Sequence, residues 1–552
     1  MKRLYTIIIL VVVYSLALGV RVYWFSQKNG LHVDEGMTVT LSCYKEYYSF
    51  EFNREYTGKE VKEKSFAEKL GIKEAMKDIG SLWKDNRDPP HTNLYYTFLR
   101  LSLIGLKNTD IKYIIFRGGI LNLLFFTLSF VFFFLTARML FPGSRLLQFS
   151  VTLCAFLSTA AISNTLFLRP YQIQETMFII FCYYFIKTFD FGNSILNNDK
   201  RRIILYIVLL SLITAVTLMT GYYAVIFIGL FGLYIVYSKC REKKYAEIKF
   251  YVLILILGVL FAAALYPRYF TGFTSYRATE VSQTMFANIS GNIKYSMTTA
   301  GTLLFKHFFT FPVIILCVLC LAFMLLQMKM LKLKLKLPQE QELPVQKHAW
   351  FVFAASLIYF IVTLLIAPYK VLRYGMPVFP FFVILPAILI SLITKIDLNS
   401  PVTKLRRIPA IAAVLLCICF LPGAFNQNKI ENIFLNKSNE YVFSKDKNVP
   451  VYVYVHYYAQ WNWANLWKYA NLVPYLNDEQ KYYFLQKYED LHSTQYDEFY
   501  LVMENFYGLK ELKYLEDEKF EILDEIQITG GEPETPETLG YYFLCRKLKK
   551  IP

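Results

Sequence analysis

Long apolar segments are the feature that most constrains what this chain can fold into. Runs such as residues 203–218 and 411–421, with their flanks, are long enough to cross the roughly 30 Å apolar core of a bilayer as helices. Hydrophobic residues make up 55% of the 552 residues, which is more apolar surface than a water-soluble protein of this length normally buries. We therefore expect a membrane to be part of the solvent of this chain.

Eleven such segments predict a mainly α fold, a polytopic transmembrane helical bundle of about 11 spans. The first segment resembles a secretory signal, but it is longer than a usual signal core and has no convincing cleavage site, so we interpret it as a retained anchor. The predicted spans lie near residues 4–24, 114–137, 146–166, 172–189, 203–219, 222–238, 249–266, 299–326, 349–367, 373–394 and 408–425.

Basic residues predict the orientation, because lysine and arginine resist translocation across the bilayer. They cluster in alternate loops, for example residues 239–249 and 328–348, whereas the short loops on the other side contain Arg169, Lys370 and Arg373. This asymmetry predicts a plasma (inner) membrane protein with a cytoplasmic N-terminus and an extracytoplasmic tail. It also explains the net charge of +17 better than nucleic-acid binding does.

Lys329, Lys332, Lys334 and Lys336 alternate with apolar residues in one inner loop. Basic residues near an anionic leaflet are attracted to lipid head groups. Membrane lipids are therefore predicted partners of this loop.

The chain divides into a predicted membrane domain, residues 1–425, and a soluble extracytoplasmic α/β domain, residues 426–552. The membrane domain contains a large first outer loop, residues 25–113. Within it, residues 59–84 have the spacing of one or two amphipathic helices, and residues 91–106 read as an interfacial or re-entrant helix.

Alternating Val and Tyr residues predict a strand at 451–455 in the tail, and two more are expected at 499–503 and 541–545. Residues 463–492 are predicted to be helical between them.

Two adjacent carboxylates, Asp34 and Glu35, follow the first apolar segment at the predicted outer boundary of the membrane. A carboxylate there can accept the proton of an attacking hydroxyl group or bind a divalent ion. We predict both as catalytic residues, although a pair of solvated loop acids is the simpler interpretation of this motif in isolation.

A stiff turn follows in the same loop, where Arg87, Asp88 and His91 flank Pro89 and Pro90. We predict these three residues, together with Glu175, as further residues that bind the substrate or the lipid phosphate. The simpler interpretation is a helix start with proline in its first turn. A metal site built from His32, Asp34 and His91 is conceivable, so a divalent metal is possible, but neither HExxH nor clustered His/Cys spacing is present.

Three arginines at predicted outer helix boundaries are candidates for binding a lipid phosphate, because a guanidinium holds phosphate oxygens in two parallel hydrogen bonds. Arg169 is followed by Tyr171 and Glu175, and Arg373 is followed by Tyr374. The alternatives are that Arg169 snorkels to water or pairs with Glu175, and that Tyr374 is an ordinary interfacial aromatic. The third candidate is Arg117.

In this order the motifs resemble those of the GT-C membrane glycosyltransferases, in particular the bacterial group of protein-mannosyltransferase-like and aminoarabinose-transferase-like enzymes. The resemblance covers most of residues 30–380. His91-Thr92-Asn93 after the prolines and Asp88 before them depart from the family pattern, and Glu175 is the nearest residue to a second family acid. The matching segments are Asp34-Glu35-Gly36, Pro89-Pro90 with Leu94-Tyr95-Tyr96, Arg117, Arg169-Pro170-Tyr171, and Arg373-Tyr374 with Pro377 and Pro380.

The resemblance implies a transferase that moves a sugar from a polyprenyl-phosphate donor to an extracytoplasmic acceptor, with inversion at the sugar carbon. It implies that Asp34 is the catalytic base or the residue that orients the acceptor hydroxyl. The competing hypotheses are a transporter or lipid flippase, which predicts a site near the bilayer midplane within repeated halves, and a noncatalytic scaffold that displays the acidic tail.

The predicted orientation is tested by fusing reporters to the C-terminus. We expect an alkaline phosphatase fusion, which is active outside the cytoplasm, to be active, and a green fluorescent protein fusion exported through the same route to be dark. The opposite pair of results would place the tail in the cytoplasm and contradict the assignment of the loops.

Overall fold

The computed structural model divides the chain into two compact units. We call Met1–Val22, Asp88–Leu94 and Asn122–Glu431 the helical unit, and Tyr23–Arg87, Tyr95–Leu121 and Asn432–Pro552 the mixed unit. The domain boundaries predicted from the sequence stay a prediction. The residues described are 2–28, 30–44, 51–65, 71–85, 91–105, 111–142, 144–189, 200–274, 279, 288–330, 344–398, 408–431, 446–454, 476–485, 491, 495–504, 520–530 and 541–550.

Most of the described residues are helical, which confirms the predicted fold class. Short 3-10 helices lie at Pro267–Thr274, Leu372–Tyr374, Met376–Val383 and Gln427–Lys429. The α-helices are α1 (Lys2–Gln27), α2 (Val33–Ser42), α3 (Gly58–Ser65), α4 (Ile72–Lys84), α5 (Leu94–Ser102), α6 (Ile111–Leu140), α7 (Arg145–Leu157), α8 (Thr159–Leu166), α9 (Tyr171–Phe189), α10 (Lys200–Leu218), α11 (Ala224–Arg241), α12 (Tyr245–Leu265), α13 (Ile289–His307), α14 (Phe311–Met330), α15 (Pro344–Ile366), α16 (Ile384–Leu398) and α17 (Ile408–Ala424).

Seven helices in the described part of the chain are long and apolar enough to cross a membrane, or up to nine if each of two bent pairs forms one span. The chain is therefore a multi-pass membrane protein. The predicted segments 172–189 and 408–425 are helical too, as α9 and α17, but α17 is a shorter apolar helix and α9 begins with the polar residues Gln172, Gln174 and Glu175.

The two bent pairs are α7 with α8, which meet at 56°, and α13 with α14, which meet at 89°. The sequence predicted one continuous helix over 299–326, and the structure divides it. Pro312 lies in the first turn of α14, where a proline is tolerated. In the middle of a continuous helix over 299–326, its ring would clash with the backbone carbonyl four residues earlier. The helix therefore ends at His307 and starts again in a new direction.

A six-stranded sheet lies in the mixed unit, in the order β1-β3-β2-β4-β6-β5. Strand β2 is parallel to β3 and β4, and the other pairs are antiparallel. Residues 25–113, the predicted first outer loop, contribute β1, which pairs with β3 of the tail. The strands are β1 (Glu55–Thr57), β2 (Val451–Tyr454), β3 (Lys481–Leu485), β4 (Glu498–Glu504), β5 (Phe520–Gly530) and β6 (Tyr541–Lys550).

The three strands expected in the tail are confirmed as β2, β4 and β6, but the predicted helix over 463–492 is wrong where β3 lies. Residues 481–485 read Lys-Tyr-Tyr-Phe-Leu, and aromatic residues of this kind favour a pleated, half-buried surface. Hydrogen bonding to β1 on one side and to β2 on the other stabilises this segment as a strand. Residues 476–480 are not helical either, and residues 463–475, 486–490 and 492 lie outside the described residues.

The first outer loop forms short helices. Helices α3 and α4 confirm the amphipathic pair, and α4 buries Ala75, Asp78 and Leu82. Helix α5 has nine residues, so at about 1.5 Å per residue it is much too short to cross a bilayer. A buried ion pair joins the two helices, with Arg100 Nε 2.9 Å from Asp78 Oδ2.

Aromatic rings fill the interior of the helical unit. Phe178 stacks on Phe227 with 4.2 Å between ring centroids, and Phe360 of α15 packs edge-on against Phe379 at 5.4 Å. Gly375 lies directly against this group, because a Cβ atom there would come within 2.3 Å of the Phe360 ring. The turn after α15 therefore needs a residue without a side chain at this position.

We expect Gly375→Ala to lower the free energy of unfolding by about 1–3 kcal/mol, since the added methyl group overpacks the core against Phe360. Gly229→Ala is the matched control, because a Cβ atom there meets nothing within 4 Å. Thermal unfolding in detergent measures both. Equal midpoints for the two variants would show that Phe360 gives way freely.

Candidate functional site

Asp34 and Glu35 lie in the first turn of α2, in the mixed unit. His32 caps this helix: its Nδ1 accepts a hydrogen bond from the backbone N–H of Asp34 at 3.0 Å, and Glu35 Oε2 accepts from the N–H of His32 at 2.6 Å. This reciprocal arrangement is a capping box, which satisfies backbone donors that a helix start leaves without a partner. The motif therefore sets the backbone direction at Asp34.

Glu35 also forms a buried ion pair. Lys28 Nζ lies 2.5 Å from Glu35 Oε1, and both side chains are fully buried. Burial lowers the pKa of Lys28, and the charge of Glu35 opposes that shift. Glu35 was predicted as a catalytic residue, and the structure gives it a second role as the partner of Lys28 and a member of the cap.

Asp34 has a different environment from Glu35. Its side chain is 23% exposed, and its Oδ2 lies 3.8 Å from His32 Nδ1. Of the two adjacent acids, Asp34 is the one whose carboxylate can be reached by a substrate.

Arg169 lies in the helical unit between α8 and α9 and is 2% exposed. Its Nη2 is 2.9 Å from His91 Nε2. A guanidinium has only donors, so His91 accepts at Nε2 and carries its proton on Nδ1. The residue whose role the family pattern left open thus holds Arg169 in place.

The neighbouring residues anchor both partners of this pair. Thr92 donates to the carbonyl of Met219 at 2.5 Å, and Asn122 donates to the carbonyls of Thr165 and Phe167, both at 2.9 Å. The turn of His91 is therefore tied to the end of α10, and the turn of Arg169 is tied to α6.

Tyr171 joins this cluster to the second predicted arginine. Its ring lies edge-on to Tyr374 at 6.3 Å, and Tyr223 contacts Tyr374 at 5.9 Å. The guanidinium of Arg373 lies 5.6 Å from the Tyr374 ring centre, within cation–π range. Segments that are far apart in the sequence therefore meet at the same ends of α8, α10 and α15.

Lys370 and Glu175 have structural partners. Lys370 Nζ donates to the carbonyls of Leu365 and Ala367, at 3.1 and 2.7 Å, and so caps the end of α15. Glu175 is fully buried and accepts hydrogen bonds from Asn164 at 2.9 Å and Gln172 at 3.0 Å.

The remaining predicted site residues are Arg117, Arg87 and Asp88. Arg117 is exposed on α6 and belongs to the mixed unit, while Arg87 and Asp88 lie outside the described residues. No group of three or more His, Cys, Asp or Glu side chains in the described part of the chain is arranged to hold a metal ion. The described residues therefore offer no set of ligands for the predicted metal site. His91, one of its predicted ligands, is hydrogen-bonded to the guanidinium of Arg169.

Sequence reasoning missed Lys28 and Arg21. Arg21 is fully buried in α1, where it donates to Thr165 Oγ1 at 2.9 Å and to the carbonyl of Phe156 at 2.9 Å. A charged residue inside an apolar segment is itself a signal of a buried partner, and it could have identified Arg21. Lys28 lies just after the apolar segment rather than inside it, so it gives no such signal. Seven residues separate it from Glu35, and the loop between them has no periodicity that would predict the pair.

No protein-family model matches the sequence, and no curated protein matches it. Among solved structures, the chain is similar to the crystal structure of ArnT from Cupriavidus metallidurans bound to undecaprenyl phosphate, with a TM-score of 0.49 and 10% identity over 97% of each chain. It is also similar to ArnT from Cupriavidus metallidurans in the apo state, with a TM-score of 0.47 and 11% identity over 97% of each chain.

We expect Lys28→Met to destabilise the protein by about 3–5 kcal/mol, because it leaves the Glu35 carboxylate buried without its cation. The double variant Lys28→Met/Glu35→Gln removes both charges and should recover most of the loss. Lys481→Met is the control, since it breaks an exposed pair with Glu55 and should change little. Equal unfolding midpoints for Lys28→Met and Lys481→Met would contradict a buried, structural ion pair.

Proposed function

We propose that the protein is a membrane glycosyltransferase that moves a sugar from a polyprenyl-phosphate donor to an extracytoplasmic acceptor, which is a lipid, a glycan or a protein. The observation that carries the proposal is the cationic cluster of the helical unit, where His91, Arg169, Tyr171, Arg373 and Tyr374 come together. The motif resemblance, which includes Asp34, supports the same function.

The cluster is suited to a phosphate. Arg169 is oriented by a neutral histidine, so its positive charge is not cancelled by that partner. Arg373 is half-buried beside an aromatic ring, and a guanidinium that is partly removed from water interacts more strongly with an anion. In our proposal these two arginines bind the lipid phosphate of the donor and stabilise its charge as it leaves.

Asp34 is the proposed base. It takes the proton from the acceptor hydroxyl, whose oxygen attacks the sugar carbon that is bonded to the phosphate oxygen. The carbon–oxygen bond to the phosphate breaks, and the polyprenyl phosphate leaves with the electron pair. A single displacement of this kind inverts the configuration at the sugar carbon. Glu35 cannot share this role while Lys28 holds its charge.

A transporter is the alternative, because Arg21 and Glu175 are ionisable residues buried in the bundle. Both lie close to helix ends: Arg21 precedes the end of α1 at Gln27, and Glu175 follows the start of α9 at Tyr171. At about 1.5 Å per residue, each is within roughly 10 Å of its helix end. Transport sites normally lie near the bilayer midplane, so this placement favours a reaction at the membrane boundary.

We expect Asp34→Asn to lower the rate of sugar transfer by a factor of about 10² to 10⁴, because the acceptor proton loses its base. The measurement is mass spectrometry of lipid-linked sugars and glycans from cells that lack the protein and carry each variant. Asp34→Asn should leave the carrier-linked precursor to accumulate and one modification to disappear.

Asp85→Asn is the control, because Asp85 is an exposed acid of the same outer loop. It should restore the modification fully. Wild-type transfer by a folded Asp34→Asn protein would remove Asp34 as the base, and an unchanged set of lipid-linked sugars in cells without the protein would reject the proposed function.

A further inference from the structure

Two thiol groups meet inside the helical unit. Cys154 of α7 and Cys417 of α17 are 263 residues apart in the sequence, and the thiol of Cys154 donates a weak hydrogen bond to the sulfur of Cys417, with 3.6 Å between the two Sγ atoms. Both residues are free cysteines. A single cysteine in an apolar helix, such as Cys182 in α9, behaves as a small hydrophobic residue. Two thiols in contact can also react with each other.

The packing of α17 holds the two thiols in place on both sides. The thiol of Cys417 also points to the backbone carbonyl of Ser150, one turn before Cys154, at 3.9 Å. Further along the same two helices, Gly423 lies against Thr159, because a Cβ atom at Gly423 would lie 3.5 Å from Thr159 Cγ2. The two sulfur atoms therefore meet within a longer contact between α17 and the bent pair of α7 and α8.

The two thiols differ in exposure. Cys154 is 0% exposed, whereas Cys417 is half-buried. On either side of Cys417, Val414 and Ile418 are 46% and 52% exposed. Large aliphatic side chains that face outward on a membrane protein are in contact with lipid, since the hydrocarbon tails are as apolar as they are. Cys417 can therefore be reached from the lipid, and Cys154 is shielded inside the bundle.

The position of Cys417 along α17 limits which reagents reach it. It lies nine residues after Ile408, where the helix begins, so at about 1.5 Å per residue it is roughly 13 Å along the helix. This depth is close to the middle of a hydrocarbon core about 30 Å thick. Polar oxidants are scarce there, so an oxidant of Cys417 has to dissolve in hydrocarbon. Hydroperoxides formed on lipid chains meet this requirement.

We propose that Cys154 and Cys417 are a redox pair that reacts with hydroperoxides dissolved in the membrane. Cys417 is oxidised first, because it is the accessible thiol, and Cys154 then converts the product into a disulfide that ties α7 to α17. An accessible cysteine next to a second, resolving cysteine is the usual arrangement of a redox-sensing pair. This inference does not depend on the proposed glycosyltransferase function.

The reaction needs only the two thiols and the hydroperoxide. The sulfur of Cys417 attacks the terminal oxygen of the hydroperoxide, the O–O bond breaks, and the alcohol leaves with the electron pair and the thiol proton. Cys417 then carries a sulfenic acid. The sulfur of Cys154 attacks the sulfenic sulfur, an S–S bond forms, and the hydroxyl group leaves as water with the proton of Cys154. The two thiols lose two electrons, which reduce the hydroperoxide to an alcohol and water.

The test uses the full-length protein in lipid nanodiscs, which keep a hydrocarbon phase around the helices. The protein is treated with cumene hydroperoxide, an apolar probe, free thiols are blocked with N-ethylmaleimide, and the protein is digested without reduction for mass spectrometry. We expect the peptides of Cys154 and Cys417 to be joined with the loss of two hydrogens and to separate in dithiothreitol. Hydrogen peroxide at the same concentration should join them more slowly, because it stays in the water.

Three variants assign the roles of the two thiols. In Cys154→Ala we expect no crosslink and a lasting sulfenic acid on Cys417, which dimedone traps. In Cys417→Ala we expect neither a crosslink nor a dimedone adduct on Cys154. Cys419→Ala is the matched control, because Cys419 is also half-buried on α17. It should form the crosslink as the wild type does.

The wild-type protein alone can overturn the proposal, so the test does not depend on the folding of any variant. Treatment with cumene hydroperoxide that leaves Cys154 and Cys417 unjoined would reject the pair, as would a bond from Cys417 to Cys419 or Cys317 instead. Equal rates with the two peroxides would reject the route through the membrane. A dimedone adduct on Cys154 in the Cys417→Ala protein would reject the order of the two steps.

Discussion

The guanidinium of Arg21 is the interaction on which the helical unit depends. Helices α7 and α8 meet at 56° around Ser158, and a bend of this size interrupts the backbone hydrogen bonds of the helix. Inside a membrane every backbone polar group needs a partner within the protein. Arg21 donates to the carbonyls of Phe156 and Ala161, on either side of the bend, and lies 3.9 Å from the centre of the Phe126 ring. Carbonyl groups at the bend therefore accept hydrogen bonds from the buried guanidinium, and the guanidinium finds its acceptors there.

The effect of this interaction extends to the candidate site through a chain of polar side chains. Arg21 donates to Thr165, which donates to Gln172 at 2.8 Å, and Gln172 donates to Glu175 at 3.0 Å. Asn164 closes the chain by donating to Glu175. These residues lie on both sides of the turn that presents Arg169, so the turn is held at its two ends. A binding group supported in this way keeps its geometry without a ligand, which reduces the entropy lost on binding.

Much of this arrangement can be predicted from the sequence, but only where the signal is local. Apolar runs predict the helices, and the charged or aromatic residues at their boundaries single out Asp34, Arg169, Tyr171, Arg373 and Tyr374 as candidate site residues. What the sequence does not show is which of these residues contact each other. His91 and Arg169 are 78 residues apart, and no periodicity relates them. The strand at Lys481–Leu485 was missed for a similar reason, because β1, which pairs with it, comes from the first outer loop.

Arg169, Lys370 and Arg373, the three basic residues of the loops predicted to be short and outer, have different environments in the structure. Lys370 donates to two carbonyls at the end of α15, where a compact ammonium group complements the negative end of the helix dipole. The charge of Lys370 therefore stabilises the end of this helix. Arg169 is oriented by a neutral imidazole and Arg373 by a ring, so neither of these contacts supplies a negative charge. Lys370 thus completes a helix end, whereas Arg169 and Arg373 belong to the cluster that we propose binds the lipid phosphate, and this difference in position separates the two arginines from the lysine between them in the sequence.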